Sequence, residues 1–218
     1  MSSVTNYAGP VVTTDAVVLS HVGDQLQVLV HARPREPFAG ALALPGVYVH
    51  SGETIADATR RCLAGKTGMR LRDADGPRLI DVYDAVERDP RGHALSVVTV
   101  AFVEPSRSID DALARWLPVG DGALGLAFDH DDIVRTAVAW ALAHVYIDRF
   151  VLAGLLAGTD MTTASVRRAV ASVGVPDNVS NIRRSLAASG LLRPSGSRAP
   201  VPHGKPALVW EWVQEADA

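Results

Sequence analysis

Runs of apolar and β-branched residues mark the strands predicted for the first half of the chain. Residues 11–20 and 26–32 flank the sequence HVGDQ, whose Gly and Asp favour a turn, so these two runs predict a β-hairpin. Residues 78–86 and 95–103 flank the turn-forming sequence RDPRG in the same way. Strands outnumber helices in this half and the order of elements is mixed, which predicts an α+β domain.

Helix signals frame one segment between these strands. Thr54 is a good N-cap residue, Asp57 occupies the acidic position of a capping box, and Gly68 suits the C-terminal cap. A second, short amphipathic helix is predicted around residues 110–117.

The pattern changes after residue 125 to the spacing of helices. A helix is predicted from Asp129 to Phe150, and three shorter helices and a strand follow it, at residues 149–157, 163–173, 178–189 and 207–213. Three short helices followed by a loop and a strand is the element order of a winged helix-turn-helix. We therefore predict three parts, which are an α+β domain at 10–126, a linker and dimerisation helix at 127–150, and a winged helix-turn-helix at 151–215.

Composition narrows the class of protein. With 218 residues, 48% of them hydrophobic, and a net charge of −3, the chain is expected to be an ordinary soluble protein rather than a disordered one. No apolar run reaches the length of a membrane span and no secretory signal is evident, so a cytoplasmic location is expected. The single Cys excludes an intrachain disulfide and a multi-Cys zinc site.

Positive charge is concentrated near the end of the chain. Residues 155–205 contain seven Lys or Arg and two acids, a net charge of about +5. A basic segment joined to an acidic body indicates a polyanionic partner such as DNA. The alternative is a chance cluster of arginines on a solvated face.

The stretch LPGVYVHSGETIADATRRCLAGKTGM, residues 44–69, resembles the signature of the Nudix hydrolases. Glu53, Arg61, Leu63, Gly68 and Met69 match that signature, whereas Val47 stands where it has a glycine. In the family, three further acids on one helical face hold Mg²⁺ or Mn²⁺ against a pyrophosphate. Here those three positions are held by a thiol, a hydrogen and an ammonium, on Cys62, Gly65 and Lys66.

The resemblance therefore implies a Nudix-like α/β/α sandwich with a mixed sheet but no metal, no cofactor and no hydrolytic activity. Glu53 and Arg61 would form the structural pair that braces the loop against the helix in that family. Cys62 is expected to be a small core residue, because free cysteines are usually buried. Lys66 is either a solvated side chain or a fixed cation that holds a ligand's phosphate without cleaving it.

Four further segments, HARPREPFAGALALPG, ERDPRGHALSV, LAFDHDDIV and NIRRSLAASGLLRPSG…GKPALVWEW, resemble Nudix-related bacterial transcriptional regulators of NAD metabolism. Such proteins join a Nudix domain to a C-terminal winged helix. The resemblance implies a dimeric repressor that binds a palindromic operator in double-stranded DNA and is released by ADP-ribose or a related phosphorylated effector. By position it implies a set of ligand-binding residues, Arg33, Arg35, Phe38, Arg88 and Arg91, which join Lys66. The alternatives are loop arginines without a ligand, a plain turn at RDPRG, and a Nudix-type ADP-ribose or nucleotide-sugar pyrophosphatase with an unusual metal site.

The predicted recognition helix carries the candidate DNA contacts. Asn and Arg suit adenine and guanine through paired hydrogen bonds, so Asn181 and Arg184 are expected to contact bases. Neighbouring or phosphate-contacting roles are expected for the remaining candidates, Arg167, Arg168, Asn178, Ser180, Arg183, Arg198, His203 and Lys205. The alternative for this region is a winged helix that docks a protein.

Overall fold

The structure is a computed structural model and describes residues 9–110, 112–200 and 205–214. Its strands are β1 Val11–Val22, β2 Gln25–Ala32, β3 Leu42–Ala43, β4 Gly46–Tyr48, β5 Arg78–Tyr83, β6 Ala94–Phe102, β7 Ala114–Pro118, β8 Leu192–Ala199 and β9 Ala207–Trp212. Its helices are α1 Ile55–Thr67, α2 His130–His144, α3 Arg149–Leu156, α4 Thr163–Ala171 and α5 Val179–Ser189, with a single 3-10 turn at Asp73–Asp75.

A mixed sheet forms the centre of the N-terminal part. Strands β1 and β2 pair as the predicted antiparallel hairpin, and β1 also pairs with β6 in parallel. The strand order is β3-β2-β1-β6-β5, with β4 added to β1 and β7 added to β2. Side chains alternate along β1, so Ala16 and Val18 face the α1 side of the sheet while Val17 and Leu19 face α2 and α3. The predicted α+β sandwich with a mixed sheet is confirmed.

The helix α1 begins and ends where the sequence predicts. The Thr54 side chain accepts a hydrogen bond from the Asp57 amide, and its hydroxyl donates to the Asp57 carboxylate over 2.6 Å. Gly68 has a φ of 70°, a left-handed conformation that ends the helix at little cost for glycine.

The helix predicted around 110–117 is wrong. This segment contains β7, which pairs antiparallel with β2, with Trp116 opposite Leu29. Ala114 and Trp116 pack into the core on the α1 side, whereas Leu117 packs on the opposite side. An alternation of apolar and polar residues over only five positions is hard to distinguish from a helical period. The segment becomes a strand because it pairs with β2, which is far away in the sequence.

The single helix predicted from Asp129 to Phe150 is also wrong, because α2 and α3 are separate helices bent by 108°. Asp148 starts α3 by accepting a hydrogen bond from the Phe150 amide, and it also pairs with Arg78 at 2.7 Å. Most of the apolar stripe of α2 is buried in the chain's own core, although Leu142 is 40% exposed, and the dimer contact predicted for residues 127–150 stays a prediction. Among the described residues no single helix is long and apolar enough to span a membrane, although α2 and α3 taken together meet that test on length and composition alone.

The last three helices and the final hairpin form a winged helix. Thr162 bridges to Val209, and the Trp210 amide donates to the Met161 carbonyl, so β9 is tied to the start of α4. Strands β8 and β9 pair antiparallel and form the wing. The Pro- and Gly-rich sequence of this region would also be compatible with a plain linker.

Helix α3 joins this winged helix to the sheet by close packing. A Cβ atom placed on Gly154 would lie 2.1 Å from the Phe102 Cβ, so the α3 backbone lies directly against β6. The Phe102 ring packs edge-on against Phe150, with ring centroids 5.4 Å apart. The apolar core is continuous from the sheet through α3 to α4 and α5.

Candidate functional site

The Glu53–Arg61 pair has the bracing geometry implied by the resemblance. The Arg61 guanidinium donates to both Glu53 oxygens, at 2.7 and 2.8 Å, and to the Tyr48 carbonyl at 2.9 Å. The Glu53 carboxylate also accepts from the His50 amide. These bonds lower the pKa of Glu53 to about 2, the Arg61 bond contributing most. The loop before α1 is therefore fixed to the helix at two points.

The three positions that hold acids in the Nudix signature have a different chemistry here. Cys62 is 1% exposed, and burial raises the pKa of its thiol to about 12, as expected for a core residue. Gly65 is exposed with open space around it. Lys66 is half-buried and donates a hydrogen bond of 2.5 Å to the Gly46 carbonyl, while burial lowers the pKa of its ammonium.

These residues do not fit a divalent cation. Mg²⁺ and Mn²⁺ need several oxygen ligands, and an ammonium at this position repels them. Within the described ranges, no group of three or more His, Cys, Asp or Glu side chains is placed to hold a metal ion.

Lys66 lies in a cavity of about 760 Å³ whose walls come from α1, β1, β2, β4, the start of α2 and the loops that follow β2 and β5. Basic and aromatic groups dominate its walls. The lining includes Asp15, His31, Arg33, Arg35, Glu36, Tyr48, His50, Arg61, Lys66, Arg88, Asp89, Arg91, Phe128 and His130. This volume lies within the range of a nucleotide-sized ligand.

The loop after β2 supplies one wall of the cavity. Arg33 is held by a 2.7 Å hydrogen bond to the Pro37 carbonyl and lies 4.6 Å from the centre of the Phe128 ring. Burial, and then the charge of Arg91, lowers the pKa of Arg33. Arg35 is exposed at the rim. Phe38 does not line the cavity, but its ring packs edge-on against Phe128 at 4.8 Å.

The two arginines of the RDPRG turn differ in their freedom. The Arg88 side chain is 5% exposed and donates two bonds to Asp129, at 2.7 and 2.8 Å, and one to Asp15 at 3.4 Å. Arg91 pairs with Asp89 at 2.6 Å but keeps 43% of its side-chain surface exposed. Arg91 therefore has donors left for a ligand, whereas most donors of Arg88 are taken up by Asp129 and Asp15.

Sequence reasoning missed two histidines and a carboxylate in this cavity. His31, His130 and Asp15 are each buried, and each lies in or next to a segment that reads as core. His130 Nδ1 accepts a hydrogen bond of 2.9 Å from the Leu44 amide, and burial lowers its pKa. Asp15 Oδ2 accepts from the Ser96 hydroxyl at 2.5 Å. For Asp15 and His31 the only signal in the sequence is a polar residue inside an otherwise apolar β-run, and His130 stands among acids at the start of α2.

Helix α5 presents the predicted DNA-contact side chains on its exposed face. Ser180, Asn181, Arg183 and Arg184 are all exposed, while Ile182 and Leu186 are buried beneath them. Arg184 donates a hydrogen bond to the Asn181 side chain. Asn178 caps the helix by accepting from the Asn181 amide at 3.0 Å, so its side chain is already used.

The remaining predicted DNA contacts are spread over α4 and the wing. Arg167 lies 3.3 Å from Asp177, Arg198 donates to the Pro206 carbonyl at 3.2 Å, and Lys205 is exposed. His203 lies outside the described residues. Arg168 faces the other way and pairs with Asp24, in the β1–β2 turn, at 3.1 Å.

The amino-acid sequence is similar to that of an ADP-ribose pyrophosphatase from Methanocaldococcus jannaschii. The two are 32% identical over 136 residues, which cover 62% of this chain and 76% of the relative. The chain belongs to the Nudix family. No protein-family model matches it.

Solved structures extend the likeness of this Nudix protein to its whole length. A MutT/nudix family protein from Enterococcus faecalis has a TM-score of 0.76 at 23% identity and covers 97% of this chain and 90% of its own. Shewanella oneidensis NrtR complexed with a 27mer DNA has a TM-score of 0.73 at 23% identity and covers 94% of this chain and 95% of its own. At these identities the likeness is one of fold. The NUDIX domain of NrtR complexed with ADP ribose is 26% identical, has a TM-score of 0.53, and covers 62% of this chain and 90% of its own.

The Nudix part and the winged helix of this chain thus share the fold of NrtR-type proteins. The contacts that join them include the packing of α3 on β6, the Arg78–Asp148 pair and the Arg168–Asp24 pair. His21 lies beside this pair, and burial, followed by the charge of Arg168, lowers its pKa. A residue predicted to hold a DNA phosphate is therefore part of the contact between the two halves.

Proposed function

We propose that this protein is a DNA-binding regulator whose Nudix domain senses ADP-ribose or a related phosphorylated metabolite without hydrolysing it. The observation that carries the proposal is a cavity of about 760 Å³ in which Lys66 occupies a position of the family's metal-binding acids. A fixed ammonium with Arg33 and Arg91 nearby can hold a diphosphate, but it cannot activate water as a metal ion does.

The winged helix supplies the proposed DNA-binding activity. An exposed α5 face with Asn181 and Arg184 has the chemistry to read base edges in the major groove, and the wing adds Arg198 and Lys205 for the backbone. NrtR, which shares this fold, is complexed with DNA in one structure and its NUDIX domain with ADP ribose in another. We propose DNA and ADP-ribose as partners of this chain as well, together with repression and a homodimer.

The Arg168–Asp24 pair offers a route by which one site affects the other. Asp24 lies in the turn between β1 and β2, and those strands also carry Asp15 and His31 of the cavity. Ligand in the cavity would shift this hairpin, and α4 would follow through Arg168. Coupling of this kind requires only that the ligand bind two arrangements with different affinity.

The second candidate is an ADP-ribose pyrophosphatase, which is the name of the 32% identical relative. It would require metal binding at a site where the described side chains offer a thiol, a hydrogen and an ammonium. Acids outside the signature, among them Asp15 and Asp89, lie in the same cavity, and Asp89 is already paired with Arg91.

One titration separates the two candidates. The protein is mixed with DNA from upstream of its own gene, and the mobility shift is followed as ADP-ribose is added, with and without Mg²⁺ and with analysis for AMP. Relief of the shift by intact ADP-ribose supports the non-hydrolysing regulator. AMP formed only with Mg²⁺ establishes the pyrophosphatase. The paired variants Arg184→Ala and Arg35→Ala serve as controls, because the first removes a DNA contact and the second a contact at the cavity rim.

A further inference from the structure

His31 is a buried side chain that opens onto the cavity beside Lys66. It lies on β2, on the same face of the strand as Leu29, and is 3% exposed. The position therefore belongs to the α1 side of the sheet, where α1 carries Lys66. Packing alone would favour an apolar side chain at this buried position of β2, so the polar imidazole of His31 calls for another explanation.

The hydrogen bonding of His31 fixes its tautomer. Nδ1 lies 3.0 Å from the Ala32 carbonyl oxygen, which only accepts, so Nδ1 carries the proton. Nε2 is then an acceptor in the neutral ring, and it has no hydrogen-bond partner among the residues that the structure describes, although it is buried. Burial, and next the charge of Lys66, lowers the pKa of His31 to about 4, so the ring is neutral at pH 7.

The neighbouring histidine gives an internal comparison. His130 is also buried and also lines the cavity, but its acceptor nitrogen Nδ1 is already bonded to the Leu44 amide at 2.9 Å. The acceptor nitrogen of His130 is therefore satisfied within the protein. Between these two rings, His31 is the one whose acceptor is left for a ligand.

The cations around His31 limit what can approach its acceptor. Lys66, Arg33 and Arg91 donate hydrogen bonds and attract phosphate groups. An ionised phosphate has no proton to donate, so it cannot satisfy Nε2, and a buried acceptor left unmet costs free energy. A hydroxyl group close to the phosphates of the ligand can satisfy both His31 and the cations. Its proton is donated to Nε2, and its oxygen accepts a hydrogen bond from a cation.

We propose that His31 is a specificity-determining residue that accepts a hydrogen bond from a sugar hydroxyl of the ligand. This inference rests on the proposed function, since the phosphates of that ligand are held by Lys66 and the arginines. It selects phosphorylated sugars and nucleotide sugars over simple polyphosphates of equal charge.

The test compares two probes in calorimetric titrations at pH 7.5. ADP-ribose carries hydroxyls next to its diphosphate, whereas symmetrical dimethyl diphosphate carries the same two negative charges and no donor. Replacing His31 by Leu is expected to weaken ADP-ribose binding about tenfold, the usual effect of one lost hydrogen bond, and to leave dimethyl diphosphate unchanged. His31→Gln places an acceptor near the position of Nε2 and is expected to stay within about threefold of the wild type.

A measurement on the unaltered protein avoids any effect of substitution on folding. The ¹⁵N resonance of His31 Nε2, assigned by its loss in His31→Gln, should move upfield when ADP-ribose is added and stay in place with dimethyl diphosphate. If the wild type binds ADP-ribose but His31→Leu binds it equally well and the resonance does not move, the inference is overturned while the proposed function stands. If the wild type binds neither probe, the proposed function fails and the inference with it.

Discussion

Replacing Gly154 by Ala tests how closely α3 packs on the sheet. Glycine in a helix interior is less favourable than alanine by about 1 kcal/mol, so helix propensity alone predicts that this change stabilises the protein. The structure predicts the opposite. The new Cβ would lie 2.1 Å from the Phe102 Cβ and 2.4 Å from its Cγ, where ordinary contacts are about 3.5–4 Å.

The magnitude follows from what has to move. The Phe102 Cβ is fixed by the backbone of β6 and does not move when the ring changes rotamer, so α3 has to withdraw from β6. Overpacking of this kind costs about 1–3 kcal/mol and sometimes more. Taking about 3 kcal/mol for the clash and subtracting about 1 kcal/mol of helix propensity leaves a net loss of about 2 kcal/mol. For a chain of this length that corresponds to a fall in Tm of about 4–8 °C.

The matched control is Gly65→Ala, the same substitution inside α1. Nothing lies within 4 Å of a Cβ placed on Gly65, so only the propensity gain of about 1 kcal/mol remains and Tm should rise by about 2–4 °C. Both variants are measured by calorimetry and circular dichroism at equal protein concentration. A Gly154→Ala protein as stable as the wild type would refute the close packing of α3 on β6.

Three other predictions concern buried groups around the cavity. Above pH 6.5 His31 is neutral in both the folded and the unfolded state, and below it only the unfolded state gains the proton, because the folded pKa is about 4. The free energy of unfolding should therefore fall by about 3 kcal/mol between pH 6.5 and 4 in urea titrations, and His31→Leu should flatten this slope. Cys62, the single cysteine, should resist alkylation in the native protein and react at once in urea, and rapid labelling of the native form would contradict its burial. Lys66→Ala should weaken ADP-ribose binding by about tenfold or more in calorimetry, while chelation of divalent metal leaves wild-type binding unchanged. A loss of wild-type binding in the chelator would mean that a metal ion, not Lys66, holds the phosphates.

Local signals were sufficient wherever neighbours in sequence decide the structure. The β1–β2 hairpin, both ends of α1 at Thr54 and Gly68, and the helices and last strand of the winged helix follow from turn, cap and period signals, whereas β8 lies in a segment predicted as a loop. The Glu53–Arg61 pair was also predictable, because its two members lie eight residues apart within one signature.

Contacts between distant residues could not be read in this way. Strand β7 was mistaken for a helix because its partner β2 lies more than 80 residues earlier. The same holds for Arg88, whose bonds to Asp129 and Asp15 span 41 and 73 residues. His31 gave no signal as a functional residue, since its unmet acceptor becomes visible only when β2 is placed beside α1.

The contact between Gly154 and Phe102 limits which winged helices can be joined to this Nudix domain during evolution. A winged helix that is joined to its neighbour only by a linker can be exchanged for another by recombination, because the neighbouring domain has no surface that is packed against it. Here α3 is the first helix of the winged helix and also packs directly on β6. A different winged helix with a larger residue at position 154 would therefore clash with Phe102. We expect the two positions to covary among related sequences, with glycine at 102 wherever 154 is not glycine. The Nudix part and the winged helix would then be inherited together as one unit.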